Sequence, residues 1–289
     1  IKEHYGEQMY PTFFSGSIAK HTAVNTKFDI DFVIPFKHDS FDTLQAMSDN
    51  VFEFLNDYVK KDENIDICDS YVKKQKVSIG FTYQYFLDGE QRTIPIDVVP
   101  GRELSQGDYE KTKSLNLFFR ESNWGFMSDE GSRQKTNIAA QGDEICGKNN
   151  ERKIIRLLKV WKKSNRKDVK SFVLELFVLK ALADYDGAKD LWSLLKHTLE
   201  YMRDNATNTS CHLFDPGNSN NDVLSRMTKY ERERLSDEMK NLLYCIENID
   251  GYIKIAFPEN TRYKKPKDNY AAEIGNKMPL PPDNRRFGN

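Results

Sequence analysis

Phe13-Phe14-Ser15-Gly16-Ser17-Ile18-Ala19-Lys20-His21-Thr22, followed by Phe28-Asp29-Ile30-Asp31-Phe32-Val33, is the stretch on which the fold turns. On a strand, side chains two apart share a face. Asp29 and Asp31 therefore point one way, while Phe28, Ile30 and Phe32 point into the core. Two carboxylates at about 4 Å repel by on the order of 4 kcal/mol at an effective dielectric near 20, so the pair calls for cations. A third acid has the same character: in Thr93-Ile94-Pro95-Ile96-Asp97-Val98-Val99-Pro100, Asp97 is the one charge on an apolar strand. If the two strands are neighbours, three acids converge. That ligand set suits Mg²⁺, which takes a few carboxylates and leaves other positions to substrate phosphates. Two such ions can activate a hydroxyl and stabilise a leaving pyrophosphate. Gly16-Ser17 opens a turn or short helix whose N–H groups and hydroxyl suit phosphate oxygens. Alone, an Asp-x-Asp or a Gly-Ser pair is commonplace; in this order, with the later single-acid strand, they point to phosphoryl chemistry.

Outward from this stretch, the first hundred residues read as strands around one helix. Residues 12–14 and 28–36 are strand-like, and residues 40–60 place Phe41, Leu44, Met47, Val51, Phe54, Leu55 and Tyr58 at helical spacing. Residues 65–72 suggest another strand. The β-rich runs 77–87 and 92–99 flank Asp88-Gly89, a strong hairpin signal. Residues 128–150, rich in Gly, Ser, Asn, Asp and Glu, read as a loop and domain boundary. Helices are expected near 151–164, 171–184, 188–203 and 222–248, with a polar loop over 205–221. The proline-bearing tail after 257 is expected to lie over the surface. The expectation is an α+β chain, with domain 1–150 built on a sheet and domain 151–289 mostly helical.

Between Glu151 and Lys170 stand nine Lys/Arg and two acids. Arg152, Arg156, Lys159 and Lys163 fall in a stripe about 60° wide on a helix, opposite Ile154, Leu157, Leu158 and Trp161. Most such runs are solvated faces. Here the acid cluster upstream supplies a reason for cations across a cleft, on the far side of a bound triphosphate.

The whole chain of 289 residues carries 43 basic and 44 acidic side chains, a formal charge of −1. Proteins that grip a polyanion usually show a basic excess, so a duplex-binding surface is not expected. With 38% hydrophobic and 12% aromatic residues, the chain can bury a core. The longest apolar stretch, Phe172–Ala183, is interrupted by Glu175 and Lys180, so no membrane span is expected. Four cysteines without a CxxC pair read as free thiols of a cytoplasmic protein, and Cys211-His212 is a weak candidate for zinc. The chain does not open with Met, and residues ahead of Ile1 are expected.

Gly16-Ser17, Asp29-Ile30-Asp31 and Asp97 together resemble the signature of the DNA polymerase β-like nucleotidyltransferase superfamily. The longer strings Phe14–Ala23 and Asp29–Ile34 look most like the cGAS/DncV-like nucleotidyltransferases (CD-NTases) of bacteria. Ile18 stands where that family often has Tyr. Residues 157–162 and 171–176 resemble the second-domain pattern shared with oligoadenylate synthetases, and Phe214-Asp215-Pro216-Gly217 with Asn220-Asn221-Asp222 resembles a loop ahead of the last long helix. That loop reads as packing and as the cap of the helix, through Asn221 or Asp222. The resemblance runs, with gaps, from about residue 12 to 225.

What it implies is a polymerase β-like sheet core and a helical second domain with a cleft between them. Asp29, Asp31 and Asp97 would be the catalytic and metal-binding acids, holding two Mg²⁺ with Mn²⁺ as substitute. Gly16, Ser17, Lys159 and Ser171 would hold the triphosphate and Phe172 would stack on a base, without the hydroxyl of the more familiar Tyr. Phe172 reads equally well as a core residue. The implied reaction joins nucleoside triphosphates into a cyclic di- or oligonucleotide messenger in anti-phage (CBASS) signalling. That messenger would act on a downstream effector, with activating or conjugating partner proteins on the enzyme. The rivals are a linear product, RNA tailing, and a silent nucleotide-binding module. The zinc insertion of animal cGAS is absent, in keeping with no double-stranded DNA sensing.

Overall fold

The computed structural model describes residues 1–25, 29–61, 71–87, 90–123 and 126–261. A one-turn helix α1 (Lys2–Tyr5) and a 3₁₀ turn lead into β1 (Phe13–Ser15), the short helix α2 (Gly16–Ala19) and β2 (Ile30–Phe36). Helix α3 (Leu44–Lys61) follows, then β3 (Val72–Lys74), β4 (Ile79–Leu87), the long β5 (Glu90–Glu103) and the short α4 (Tyr109–Thr112). Strands β6 (Leu115–Asn123) and β7 (Phe126–Thr136) complete a seven-stranded mixed sheet in the order β1-β2-β5-β4-β3. Strand β5 changes partner along its length: β4 flanks it to Val98, and β6 takes over at Gly101–Glu103. Strand β2 runs parallel to β5 on the other side, pairing Asp31 with Asp97, while antiparallel β1 places Ser15 opposite Asp31.

Period-2 alternation divides the faces of β2. Ile34 and Phe36 are fully buried under α3, against Met47, Val51 and Leu55. Val33 faces the other way, into a small cluster with Tyr109, Leu115 and Leu117. Asp31 and its register partner Asp97 share the face of Val33 and Val99, so these acids stand on the side of the sheet away from α3.

The helical part begins with α5 (Ile138–Asp143) and α6 (Asn149–Ser164), continues through α7 (Ser171–Leu182) and α8 (Leu191–Asn205), crosses a small hairpin β8 (Phe214–Asp215) and β9 (Asn218–Asp222), and ends in α9 (Lys229–Asn248) and α10 (Tyr252–Ala256). Helix α7 is apolar around almost its whole circumference and forms the centre of this part, as an all-round hydrophobic helix must. One hydrophobic cluster takes residues from Ile145 to Phe257; the two clusters of the sheet draw only on residues from Ile1 to Ile138. By its contacts the chain separates into Ile1–Pro258, which holds every element named above, and Glu259–Asn289.

Several expectations need correction. Residues 128–150 are not a loop: β7 occupies their start, and α5 and α6 their middle and end. Strand β7 was obscured because its polar residues lie at the sheet margin, where Gly131, Ser132 and Arg133 are exposed. The last long helix begins at Lys229 rather than 222. Thr228 caps it by accepting from the Glu231 N–H while Glu231 reaches back to the Thr228 N–H, a capping box. Asn221 and Asp222 belong to β9, and Asp222 accepts from the Leu213 and Leu224 N–H groups instead of capping the long helix. His212 meets Asp222 at 2.8 Å, and among the described residues no three or more His, Cys, Asp or Glu are gathered as a metal site around Cys211 and His212. Cys146, Cys211 and Cys245 are free thiols. Among the described residues no helix is long and apolar enough to cross a membrane. The Asp88-Gly89 turn, residues 65–70, Phe28 and the tail after 261 lie outside the described residues.

Candidate active site

Strand register builds the site. Ser15, Asp31, Asp97 and Gly80 form a row across β1, β2, β5 and β4. The chain leaves β1 through Gly16, whose φ of +60° lies in the left-handed region. A Cβ there would sit 1.7 Å from the Asp31 Oδ2, so only glycine lets the backbone close over the carboxylate. The Ser17 N–H then donates to Asp31.

Gly80 makes room on the other side of the row. A Cβ there would fall 2.4 Å from the Gln75 Nε2. That amide donates to the Asp97 Oδ1 at 2.9 Å, and its own oxygen accepts from the Ser78 hydroxyl at 2.9 Å. Asp97 is thus held in a fixed orientation beside Asp31.

Asp31 is half-buried and its carboxyl is pushed above the usual range, by burial first and then by the charges of Asp97 and Asp29. Lys20 and the Ser17 N–H work against that rise. Asp31 therefore feels the charge of both other predicted acids, though among the described residues the three do not form a ready-made metal site. A partial set of this kind fits Mg²⁺, which needs only a few protein carboxylates when substrate phosphates complete its shell.

The helical part supplies the cations. The apolar side of α6, with Ile154, Leu158 and Trp161, is buried as its spacing requires. Its basic side meets the segment that follows α2. Arg156 Nη1 donates to the His21 carbonyl at 2.8 Å; Lys159 Nζ donates to the Thr22 hydroxyl at 2.8 Å and to its carbonyl at 3.2 Å. Burial pulls the Lys159 ammonium down to about 8; Glu175 and Asp31 counter this, and Lys20 and Lys162 reinforce it. Ser171 accepts from Lys162 at 3.3 Å rather than from Lys159.

Sequence reasoning missed Lys20 and Glu175. Lys20 is 6% exposed and pairs at 2.5 Å with Glu175, itself 5% exposed, across 155 positions of sequence. The same ammonium lies 5.1 Å from the centre of the Phe172 ring. The available signal was Glu175 itself, a carboxylate in the most apolar helix of the chain. Gly16, Ser17, Asp29, Asp31 and Asp97 are thus gathered around the start of β2. Lys159 reaches Asp31 electrostatically, and Phe172 is joined to this group through Lys20.

No protein-family model matches the chain, and no curated protein does. Among solved structures it is similar to E. coli MS115-1 CdnC with ATP, at 18% identity over 89% of this chain and 86% of that one, with a TM-score of 0.63. CdnC has also been solved in complex with HORMA-deltaN, a structure this chain matches at 20% identity with a TM-score of 0.60, over 88% and 82% of the two chains. It is similar to the Elizabethkingia meningoseptica CdnE cyclic dinucleotide synthase with GTP and Apcpp, at 15% identity over 84% and 87%, TM-score 0.57. The Vibrio cholerae DncV cyclic AMP-GMP synthase matches at 15% identity over 88% and 70%, TM-score 0.59. The fold of this chain, α+β with a mixed sheet and about ten helices among the described residues, is the fold of these enzymes.

Proposed function

With the fold of the cGAS/DncV-like nucleotidyltransferases as premise, we propose that the chain is a member of that family, a cytoplasmic nucleotidyltransferase that joins nucleoside triphosphates into a cyclic di- or oligonucleotide. The observation that carries this reading is the row Ser15–Asp31–Asp97, with Gly16 closed over Asp31 and Ser17 donating to it. Similarity to solved cyclic dinucleotide synthases supports it. Asp29, Asp31 and Asp97 are the residues that would hold two Mg²⁺, or Mn²⁺ in their place. When bound, such ions neutralise triphosphate charge and acidify an attacking hydroxyl.

The chain's own groups position the reactants. The backbone after Gly16 and the Ser17 hydroxyl hold phosphate oxygens of the donor. Lys159 and Ser171 take the outer phosphates, exchanging their contacts with Thr22 and Lys162 for the ligand, and Phe172 stacks on a base. Asp97, oriented by Gln75, faces the acceptor ribose. The ribose hydroxyl passes its proton to the Asp97 carboxylate and attacks the α-phosphorus in line, the new P–O bond forms as the bond to pyrophosphate breaks, and a second such step closes the ring. Positioning and charge neutralisation supply the acceleration.

In this reading residues 1–150 are the catalytic core and residues 151–289 the nucleotide-binding domain and tail, with the substrates in a cleft between them. The product signals to an effector in anti-phage (CBASS) defence. Since CdnC has been solved with HORMA-deltaN, an activating protein partner is a further part of the proposal. Replacing Asp29 and Asp31 by Ala should abolish pyrophosphate release from a mixture of the four nucleoside triphosphates with Mg²⁺. Release at the wild-type rate would sink the assignment.

A further inference from the structure

Helix α7 is apolar almost all round, yet it carries a buried carboxylate at Glu175. Lys20 satisfies that charge at 2.5 Å. A buried ion pair is nevertheless weak evidence of a folding need, because packed apolar side chains in its place are often as stable or more so. What stands beside the pair gives it another role.

Glu175 follows Ser171 by four residues, so the two share one face of α7 with Cβ atoms about 5–6 Å apart. Ser171 accepts from the Lys162 ammonium at 3.3 Å. One turn earlier on α6, Lys159 donates to the Thr22 hydroxyl at 2.8 Å. After burial, the strongest influence on the Lys159 ammonium is the Glu175 charge, ahead of Lys20, Asp31 and Lys162. Three ammoniums and one carboxylate thus form a single electrostatic group beside Ser171. Lys159 and Lys162 are partly exposed, whereas Lys20 and Glu175 are buried. The exposed pair can meet a ligand; the buried pair acts on it by charge, without contact.

We propose that Glu175 sets the affinity of this group for polyphosphate: its fixed negative charge weakens the hold of Lys159 and Lys162, so that pyrophosphate leaves after each transfer. The inference rests on the nucleotidyl-transfer reading above. In that reading each new bond leaves pyrophosphate where the outer phosphates of the donor lay, and the next donor cannot settle until it departs. Glu175 cancels one of the three positive charges that would otherwise retain it, and Lys20 keeps the carboxylate buried and ionised in place.

Calorimetric titration of inorganic pyrophosphate into the intact chain with Mg²⁺, at low salt, tests this through a series of charges. Glu175→Gln removes the charge and keeps an acceptor for Lys20; it should bind pyrophosphate about threefold or more tightly than wild type. Lys20→Met, which removes a cation and leaves Glu175, should bind about threefold or more weakly. Lys20→Met with Glu175→Gln restores the net charge and should return to within about twofold of wild type. Damage to the fold would weaken every variant, whereas charge moves the two single variants in opposite directions. Thermal melts establish which variants are folded; if one single variant is not, the other and the double variant decide. Weaker or unchanged binding by folded Glu175→Gln, or a double variant as weak as Lys20→Met, overturns the role of Glu175. The nucleotidyl-transfer reading stands apart from that outcome as long as wild type binds ATP with Mg²⁺. Failure of wild type to bind both ATP and pyrophosphate overturns that reading together with it.

Discussion

Asp31 is where folding and chemistry pull apart at the scale of one residue. Its carboxyl is raised above the unfolded value by burial and by two neighbouring acids. A carboxylate raised in the fold contributes stability below its unfolded pKa and loses it as pH rises through the folded value, so at neutral pH the ionised form strains the fold. Asp31→Asn should therefore be inactive yet melt higher than wild type in metal-free buffer at pH 7, by about 2–4 °C for each kcal/mol of relieved repulsion. The gap should close in acid, and a lower melting temperature for Asp31→Asn would count against the cluster. Lys159 shows the converse shift, its ammonium lowered to about 8 mainly by burial. If it grips the triphosphate as a cation, kcat/KM for the donor nucleotide should fall above about pH 8, since that ratio reports the free enzyme. Lys159→Ala should be weaker and lack that alkaline limb; a limb kept by the variant belongs to another group.

Among elements, the closest tie between sheet and helices is the Lys20–Glu175 pair, which fastens the segment after α2 to α7. Removing one partner of a buried ion pair leaves a charge without compensation, at about 3–5 kcal/mol. Lys20→Met should destabilise the chain by that much in urea unfolding, and Lys20→Met with Glu175→Leu should recover most of it. Additive losses would show that the two side chains do not depend on each other. This tie was hidden in the sequence because it spans 155 positions and neither residue belongs to a periodic pattern. The acid row was legible because strand alternation is local: Asp29 and Asp31 declare their common face within three residues. Strand β6 was passed over although Leu115, Leu117 and Phe118 are buried, because irregular polar residues surround them. The start of α9 was misplaced by seven residues because Asn221 and Asp222 offer the same capping chemistry that Thr228 and Glu231 supply.

At the scale of the whole molecule, a formal charge of −1 conceals a partition. Carboxylates gather where β2 and β5 pair, and cations project from α6 to His21 and Thr22 in the segment after α2. Charge arranged in this way suits a small, highly charged, metal-bound substrate. The sheet order and the placement of α7 were beyond reach of sequence, since pairing of distant strands follows no short-range rule. The central claim is that this arrangement closes a ring. Incubation of the purified chain with labelled nucleoside triphosphates and Mg²⁺, followed by phosphatase treatment and mass spectrometry, tests it most directly. A phosphatase-resistant product with the mass of a cyclic oligonucleotide, absent from Asp29→Ala/Asp31→Ala, is the predicted result. A product that retains a phosphatase-sensitive 5′-triphosphate, or no product from any combination of nucleotides, would contradict it.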